Sequence, residues 1–137
     1  MGGLSALVYT ARAAITPAAC VVNCPVCDLP YHYTERPDLP RTLYSAFWHE
    51  EGNVDKVLKT GSPLHMVDRM PDVPYFIFHC DADSKVNKEK HSDVFVEAMR
   101  KAHTVTYHVV PGRDHCDLTD DMRELYKHHI ESILFQR

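Results

Sequence analysis

The order of apolar runs along the chain predicts an α/β protein built on a parallel sheet. Two observations in the second half carry this expectation. Residues 73–78 (Val-Pro-Tyr-Phe-Ile-Phe) and 104–110 are apolar or β-branched runs of strand length, and a helical pattern opens at Asn87 between them. A third lies near the start, where residues 18–23 form another strand-like run behind a helix. Strands alternating with helices, with no internal repeat, predict parallel pairing.

Taken in order, Leu4, Leu7, Val8, Ala11 and Ile15 recur at helical spacing, so the first fifteen residues predict an amphipathic helix entered through Gly2-Gly3 and ended by Thr16-Pro17. Residues 18–23 lack polar alternation, as expected of a buried parallel strand. Residues 25–40 hold Pro25, Pro30, Pro37 and Pro40 among tyrosines and charges, which blocks long helices and predicts an irregular excursion with its tip at the surface. Short helical patterns follow at 41–50 and 54–60, Gly61-Ser62-Pro63 breaks the chain, and 64–70 has room for two more turns. Strand 73–78 gives way to a polar loop at 79–86. From Asn87, a good N-cap, a helix carries His91, Phe95, Ala98, Met99 and Ala102 on one face. After strand 104–110, Pro111-Gly112 turns the chain, and Thr119 caps a last helix with Asp120 and Asp121 in its first turn. The expected buried stripe of that helix is Met122, Leu125, Tyr126, His129, Ile130, Ile133 and Leu134.

With 137 residues, 45% hydrophobic and 25% charged, the chain has the makings of one core. Fifteen basic against nineteen acidic residues give a formal charge of −4 with no Lys/Arg block, which argues against a nucleic-acid partner. No apolar run approaches the ~20 residues that span a bilayer, and the start lacks the layout of a signal peptide, so neither membrane nor export is expected and the cytoplasm is the default location. Five cysteines (Cys20, Cys24, Cys27, Cys80, Cys116) are then read as reduced thiols rather than a disulfide framework.

A strand, a crossover helix and a parallel strand place the loops that follow both strands at the same carboxyl edge, where open α/β folds hold their ligands. Asp83 follows the first of these strands and His115 the second. A carboxylate and an imidazole brought together there form the pair that fixes the tautomer of a general base. Asp81 and Asp114 compete for either role, and an aspartate in a turn is also an ordinary turn former.

Those loops resemble two motifs of a known family. His79-Cys80-Asp81-Ala82-Asp83-Ser84-Lys85-Val86 is similar to the His-Gly-x-x-Asp-x-x-Val loop that carries the catalytic acid in α/β-hydrolases of the prolyl oligopeptidase family, with Cys80 in place of Gly. Pro111-Gly112-Arg113-Asp114-His115 resembles the family's Pro-Gly-x-x-His loop, and Ser62-Pro63 with the run to Met70 resembles the segment before the acid strand. The resemblance implies Asp83 as triad acid and His115 as general base. It also implies the C-terminal half of an α/β-hydrolase fold over residues 1–137, about three parallel strands with flanking helices, forming part of a catalytic domain.

At the start, Met1-Gly2-Gly3-Leu4-Ser5 looks like the tail of the family's Gly-x-Ser-x-Gly-Gly elbow, with Met1 just after the nucleophilic serine. On that reading Met1, Gly2 and Gly3 are the remnant of the elbow and oxyanion hole, and the serine, the strand before it and the upstream oxyanion donor are missing. Ser5 falls one turn into the helix and Ser62, Ser84, Ser92 and Ser132 lack an elbow, so none substitutes. The expectation is therefore a piece of a serine hydrolase acting on a peptide or ester when whole, inactive alone, needing no metal or organic cofactor, and self-associating or pairing with its missing N-terminal part. The alternative is a noncatalytic α/β module whose edge loops bind a partner.

Other readings are weaker. Cys24-Pro25-Val26-Cys27 has redox or zinc spacing, and His79, Cys80, His115 and Cys116 are candidate metal ligands at the sheet edge, but a single CxxC behind a strand is more simply a pair of small buried hydrophobes. His91 and His129 fall on core-facing stripes, His108 on a strand, and His128 in solvent. Tyr31, His32 and Tyr33 read as loop packing, or as part of a substrate pocket.

Overall fold

The computed structural model describes residues 1–47 and 53–135. In chain order the elements are α1 (Gly2–Arg12), β1 (Cys20–Asn23), α2 (Leu29–Glu35), α3 (Leu39–Phe47), α4 (Val54–Thr60), two single 3-10 turns (Pro63–His65 and Val67–Arg69), β2 (Tyr75–Cys80), a π-turn (Glu89–Asp93) running into α5 (Val94–Met99), β3 (Val105–Val110) and α6 (Asp120–Leu134). The three strands form one parallel sheet in the order β1-β2-β3, with Cys20 opposite Tyr75 and Tyr75 opposite Val105. This is the α/β, parallel-sheet architecture expected.

Alternation along the strands sorts side chains between two layers. Val22 and Ile77 point into one core with Leu7, Phe95 and Met99, so α1 and α5 cover that face. Phe76 and Phe78 point to the other, where Met122, Leu125 and Tyr126 of α6 close over them. A third cluster joins Leu4, Val26, Leu29, Leu39, Leu43, Leu58 and Val86, fastening α2 to α4 beside the carboxyl edge. Gly3 is required where α1 passes the chain leaving β1, because a Cβ there would lie 2.9 Å from Cα and Cβ of Pro25. Among the described residues β1 has a neighbouring strand on one side only, and the Tyr126 hydroxyl donates to the Val21 carbonyl at 3.3 Å.

Several boundaries differ from expectation for local reasons. α1 stops at Arg12 and leaves Ile15 at 84% exposure, since a Pro17 ring would clash with the Ala13 carbonyl in a continuing helix. β1 begins at Cys20 rather than at residue 18. The excursion at 25–40 is not irregular: Asp28 caps α2 by accepting from the Tyr31 N–H, while Pro30 and Pro40 sit in the first turns of α2 and α3, where a missing N–H costs no helical bond. The helix expected at 41–50 starts earlier, at Leu39, and its last three expected positions lie outside the described residues. β2 runs two residues past the expected end, because His79 and Cys80 pair with Val109 and Val110 and are fully buried. Asn87 does cap its helix, accepting from the Lys90 N–H, but the helical face ends at Met99 and Ala102 is exposed. On α6, Ile130 and Leu134 are exposed rather than buried, Leu134 at 66%.

Candidate active site

The loops after β2 and β3 are laced together by their backbones. The Asp81 N–H donates to the Val110 carbonyl at 3.0 Å and the Ala82 N–H to the Arg113 carbonyl at 3.1 Å. Asp81 accepts from the Gly112 N–H at 2.6 Å, and Gly112 itself has φ +66°, a conformation that favours glycine. Asp114 accepts from the N–H groups of Ser84 and His115, each at 2.7 Å, which pulls its carboxyl down to about 2. Both rival aspartates are therefore committed to backbone N–H groups. Asp83 alone of the three meets the imidazole of His115, Oδ2 to Nδ1 at 2.8 Å.

The Asp83 carboxylate is completely buried. Its Oδ1 accepts from the N–H groups of Lys85 (2.8 Å) and Val86 (2.9 Å), and its Oδ2 also lies 3.3 Å from Nε2 of His79. Burial pushes this carboxyl up, but the hydrogen bonds from His115, Val86 and Lys85 outweigh it and leave the acid below its ordinary range. His79 is buried with Nε2 3.1 Å from the Val86 carbonyl, so that nitrogen carries the proton, and its Nδ1 takes the Ser92 hydroxyl at 2.6 Å. Burial holds His79 below the usual imidazole range, so it faces Asp83 as a neutral donor. In the sequence His79 stands as the first residue of the acid-loop motif and as a candidate metal ligand; its position four residues before Asp83, at a strand end, is the signal that links the two side chains.

Because Nδ1 of His115 donates to Asp83, Nε2 presents a lone pair. The His115 side chain is 31% exposed, and its ring lines a cavity of about 260 Å³ together with Met1, Val26, His32, Arg36, Leu39, Lys85 and Val86. Met1 is the N-cap of α1, so the start of that helix and the lone-pair-bearing ring border the same space. Gly2 lies on open space and Gly3 packs on Pro25. Ser5 donates to the Met1 carbonyl and borders a different cavity; Ser62 is buried between the Leu29 N–H and the Leu58 carbonyl; Ser84, Ser92 and Ser132 bond Asp114, His79 and the His129 carbonyl.

The excursion contributes a cluster invisible in linear order. Glu35 at the end of α2 contacts Nδ1 of His32 and, at 2.9 Å, Nε2 of His91, while its other oxygen accepts from the Asn87 N–H at 2.7 Å. Burial raises this carboxyl, but the two histidines and Asn87 bring it below its ordinary range. The cluster clamps α2 onto the segment that follows Asp83, and so fixes the wall of the cavity. His91 is buried as expected, His129 is half-buried and stacks on Phe76 and His108, and His128 is exposed. Cys24 and Cys27 do not form a pair: Cys27 belongs to the α1 core, whereas Cys24 packs with Phe78 and Cys80.

No protein-family model matches the chain, and no curated protein matches it in sequence. Solved structures do. A puromycin hydrolase complexed with PGG is 20% identical over 97% of this chain and 21% of its own, with a TM-score of 0.77. An acylaminoacyl peptidase from Pyrococcus horikoshii is 12% identical over 97% of this chain and 22% of its own, at TM-score 0.76. An acetyl ester-xyloside bifunctional hydrolase from Caldicellulosiruptor lactoaceticus is 25% identical over 98% of this chain and 54% of its own, at TM-score 0.66. The chain thus spans about a fifth of the first two and about half of the third. Its three parallel strands and flanking helices match the C-terminal part of the fold of these hydrolases and peptidases. No helix among the described residues is long and apolar enough to cross a membrane.

Proposed function

We propose that residues 1–137 are part of the catalytic domain of a prolyl oligopeptidase-like serine hydrolase, in which Asp83 is the triad acid, His115 the general base, and the nucleophilic serine is contributed from outside this sequence, next to Met1. The observation that carries the reading is the Asp83–His115 hydrogen bond at the carboxyl edge, with the start of α1 across the same cavity.

In this reading the serine attacks a peptide or ester carbonyl, Nε2 of His115 takes its proton and returns it to the leaving group, and buried Asp83 holds the tautomer and stabilises the charged ring. The backbone N–H of Met1, joined to a preceding residue, donates to the oxyanion, and Gly3 lets the helix sit close enough to Pro25 to aim it. The cavity walls from α2 and the Asp83 loop meet the substrate. Alone, the chain has acid and base without a nucleophile, and is inactive.

The test joins the chain to the residues encoded directly upstream. A Gly-x-Ser there should bring fluorophosphonate labelling and ester or peptide turnover, and His115→Ala should then lower kcat by roughly three orders of magnitude or more. Labelling of any serine within residues 1–137, or turnover indifferent to His115, overturns the assignment; an upstream sequence without the elbow favours a noncatalytic module.

A further inference from the structure

We propose that Cys24, His115 and Cys116 form a binding site for a thiophilic divalent cation such as Zn²⁺, seated on Nε2 of His115. The site goes beyond hydrolysis and stands on its own geometry; only its inhibitory consequence rests on the function proposed above.

The three donor atoms lie within 4.8 Å of one another. Nε2 of His115 is 3.6 Å from Sγ of Cys116. A tetrahedral zinc with bonds of about 2.3 Å to sulfur and about 2.0 Å to nitrogen sets those ligands about 3.6 Å apart, so this edge of the tetrahedron is already formed. Cys116 is exposed, which leaves an approach for the ion and a fourth position for water.

The surroundings are those of a ligand set. Sγ of Cys24 receives the N–H groups of Cys80 (3.5 Å) and Cys116 (3.4 Å), two donors aimed at a sulfur as they are around metal-bound thiolates. His115 donates its other nitrogen to buried Asp83, completing a carboxylate–histidine arrangement that orients the ring and raises its basicity toward a metal. Cys24 (φ +43°) and Cys116 (φ +60°) are the non-glycine residues with positive φ among the described residues, so the strained backbone positions coincide with the two sulfurs.

Two other groups of potential ligands fail on lone pairs. Nε2 of His79 must carry its proton to meet the Val86 carbonyl, and its Nδ1 is occupied by Ser92. Nδ1 of His91 accepts from the Cys27 and Asp28 N–H groups, so its Nε2 holds the proton that goes to Glu35. At Cys24, His115 and Cys116 the donor atoms make only long sulfur contacts: two backbone N–H groups on Cys24 Sγ at 3.4 and 3.5 Å, Cys116 Sγ with Nε2 of His115 at 3.6 Å, and the Cys116 thiol with the Asn23 carbonyl at 3.9 Å. As the two metal–sulfur bonds form, each thiol releases its proton to solvent. The metal then occupies the lone pair with which His115 would take a proton from serine.

Cobalt(II) is the probe, added to the whole reduced chain under a phosphine reductant. Sulfur-to-cobalt charge-transfer absorption and the strong visible bands of tetrahedral cobalt are expected. Cys116→Ser, at an exposed position, should remove part of the charge-transfer intensity and weaken binding at least tenfold. Cys24→Ser should do the same, and Asp83→Asn should weaken binding by roughly 10–100-fold while sparing the sulfur bands. Cys27→Ser and Glu35→Gln, as folded chains, should keep the sulfur bands at full intensity. Absence of the sulfur bands, their undiminished intensity in Cys116→Ser, or their loss in folded Glu35→Gln overturns the proposal. In the enzyme completed with its serine, Zn²⁺ should inhibit and a chelator restore turnover; cobalt binding by a chain whose completed form has no activity would leave the metal site standing and the hydrolase reading fallen.

Discussion

Replacing Asp83 by Asn exchanges a buried charge, on which four N–H groups converge, for a neutral amide of the same shape. The amide oxygen can keep the N–H groups of Lys85 and Val86. Its NH2 then faces Nδ1 of His115 and Nε2 of His79, both of which carry protons. His79 still has the Val86 carbonyl, so the conflict falls on His115, which keeps a partner at Nδ1 only by moving its proton to Nε2. Losing one charge-assisted hydrogen bond, at about 1.5–3 kcal/mol, and weakening two others is partly offset by the easier burial of an amide, for a net loss of about 2 kcal/mol. In urea that is a midpoint shift on the order of 1 M. The folded carboxyl sits below its unfolded value of about 3.9, so its contribution is present above that pH and fades as pH falls through the folded value. The variant should therefore be destabilised at pH 7 and approach the parent in acid, at a pH below the lowered value of the folded carboxyl, where the aspartic acid also becomes neutral. Nitrogen NMR of the His115 ring should show the proton moved from Nδ1 to Nε2. An equal penalty at both pH values, or a proton that stays on Nδ1, refutes the reasoning.

Gly3→Ala drives a methyl into Pro25 and should cost about 1–3 kcal/mol by thermal or urea unfolding, whereas Gly2→Ala, in open space, should be neutral or slightly stabilising. Glu35→Gln should cost about 1–3 kcal/mol and accelerate hydrogen exchange at the Asn87 amide, with the loss shrinking in acid, since the Glu35 carboxyl too is held below its ordinary range. Light scattering over a range of concentrations should show association through the β1 edge; a monodisperse monomer throughout would mean that this edge does not recruit a strand.

The parts of the structure legible in the sequence were those set by short-range periodicity and by topology. Two apolar strands around a helix were enough to bring Asp83 and His115 to one edge, because parallel strands leave no other place for their following loops. Choosing among Asp81, Asp83 and Asp114 was not possible from spacing alone: the choice is made by which backbone N–H groups occupy Asp81 and Asp114. Prolines misled where they fell in first turns, since the same residue that breaks a helix interior is harmless there. His79 and Cys80 read as the start of the polar loop because they are polar or reactive types, yet the ladder with β3 carries both into the core. The Glu35 clamp spans more than fifty residues of sequence and leaves no local trace.

The hydroxyl of Tyr126 at the Val21 carbonyl has a further consequence for how the sheet ends. Cys20 donates to the Pro74 carbonyl, so its peptide groups turn toward β2 and those of Val21, one residue on, turn away. The phenol thus occupies the seat that the amide of a next strand would take. It behaves as a removable stopper: the sheet can be lengthened only by a newcomer that supplies a better donor to Val21 and leaves the tyrosine to find another acceptor. A side chain from α6 on one face of the sheet thereby sets the threshold for growth at its margin, and Tyr126→Phe would lower that threshold while leaving the aromatic packing on Phe78 in place.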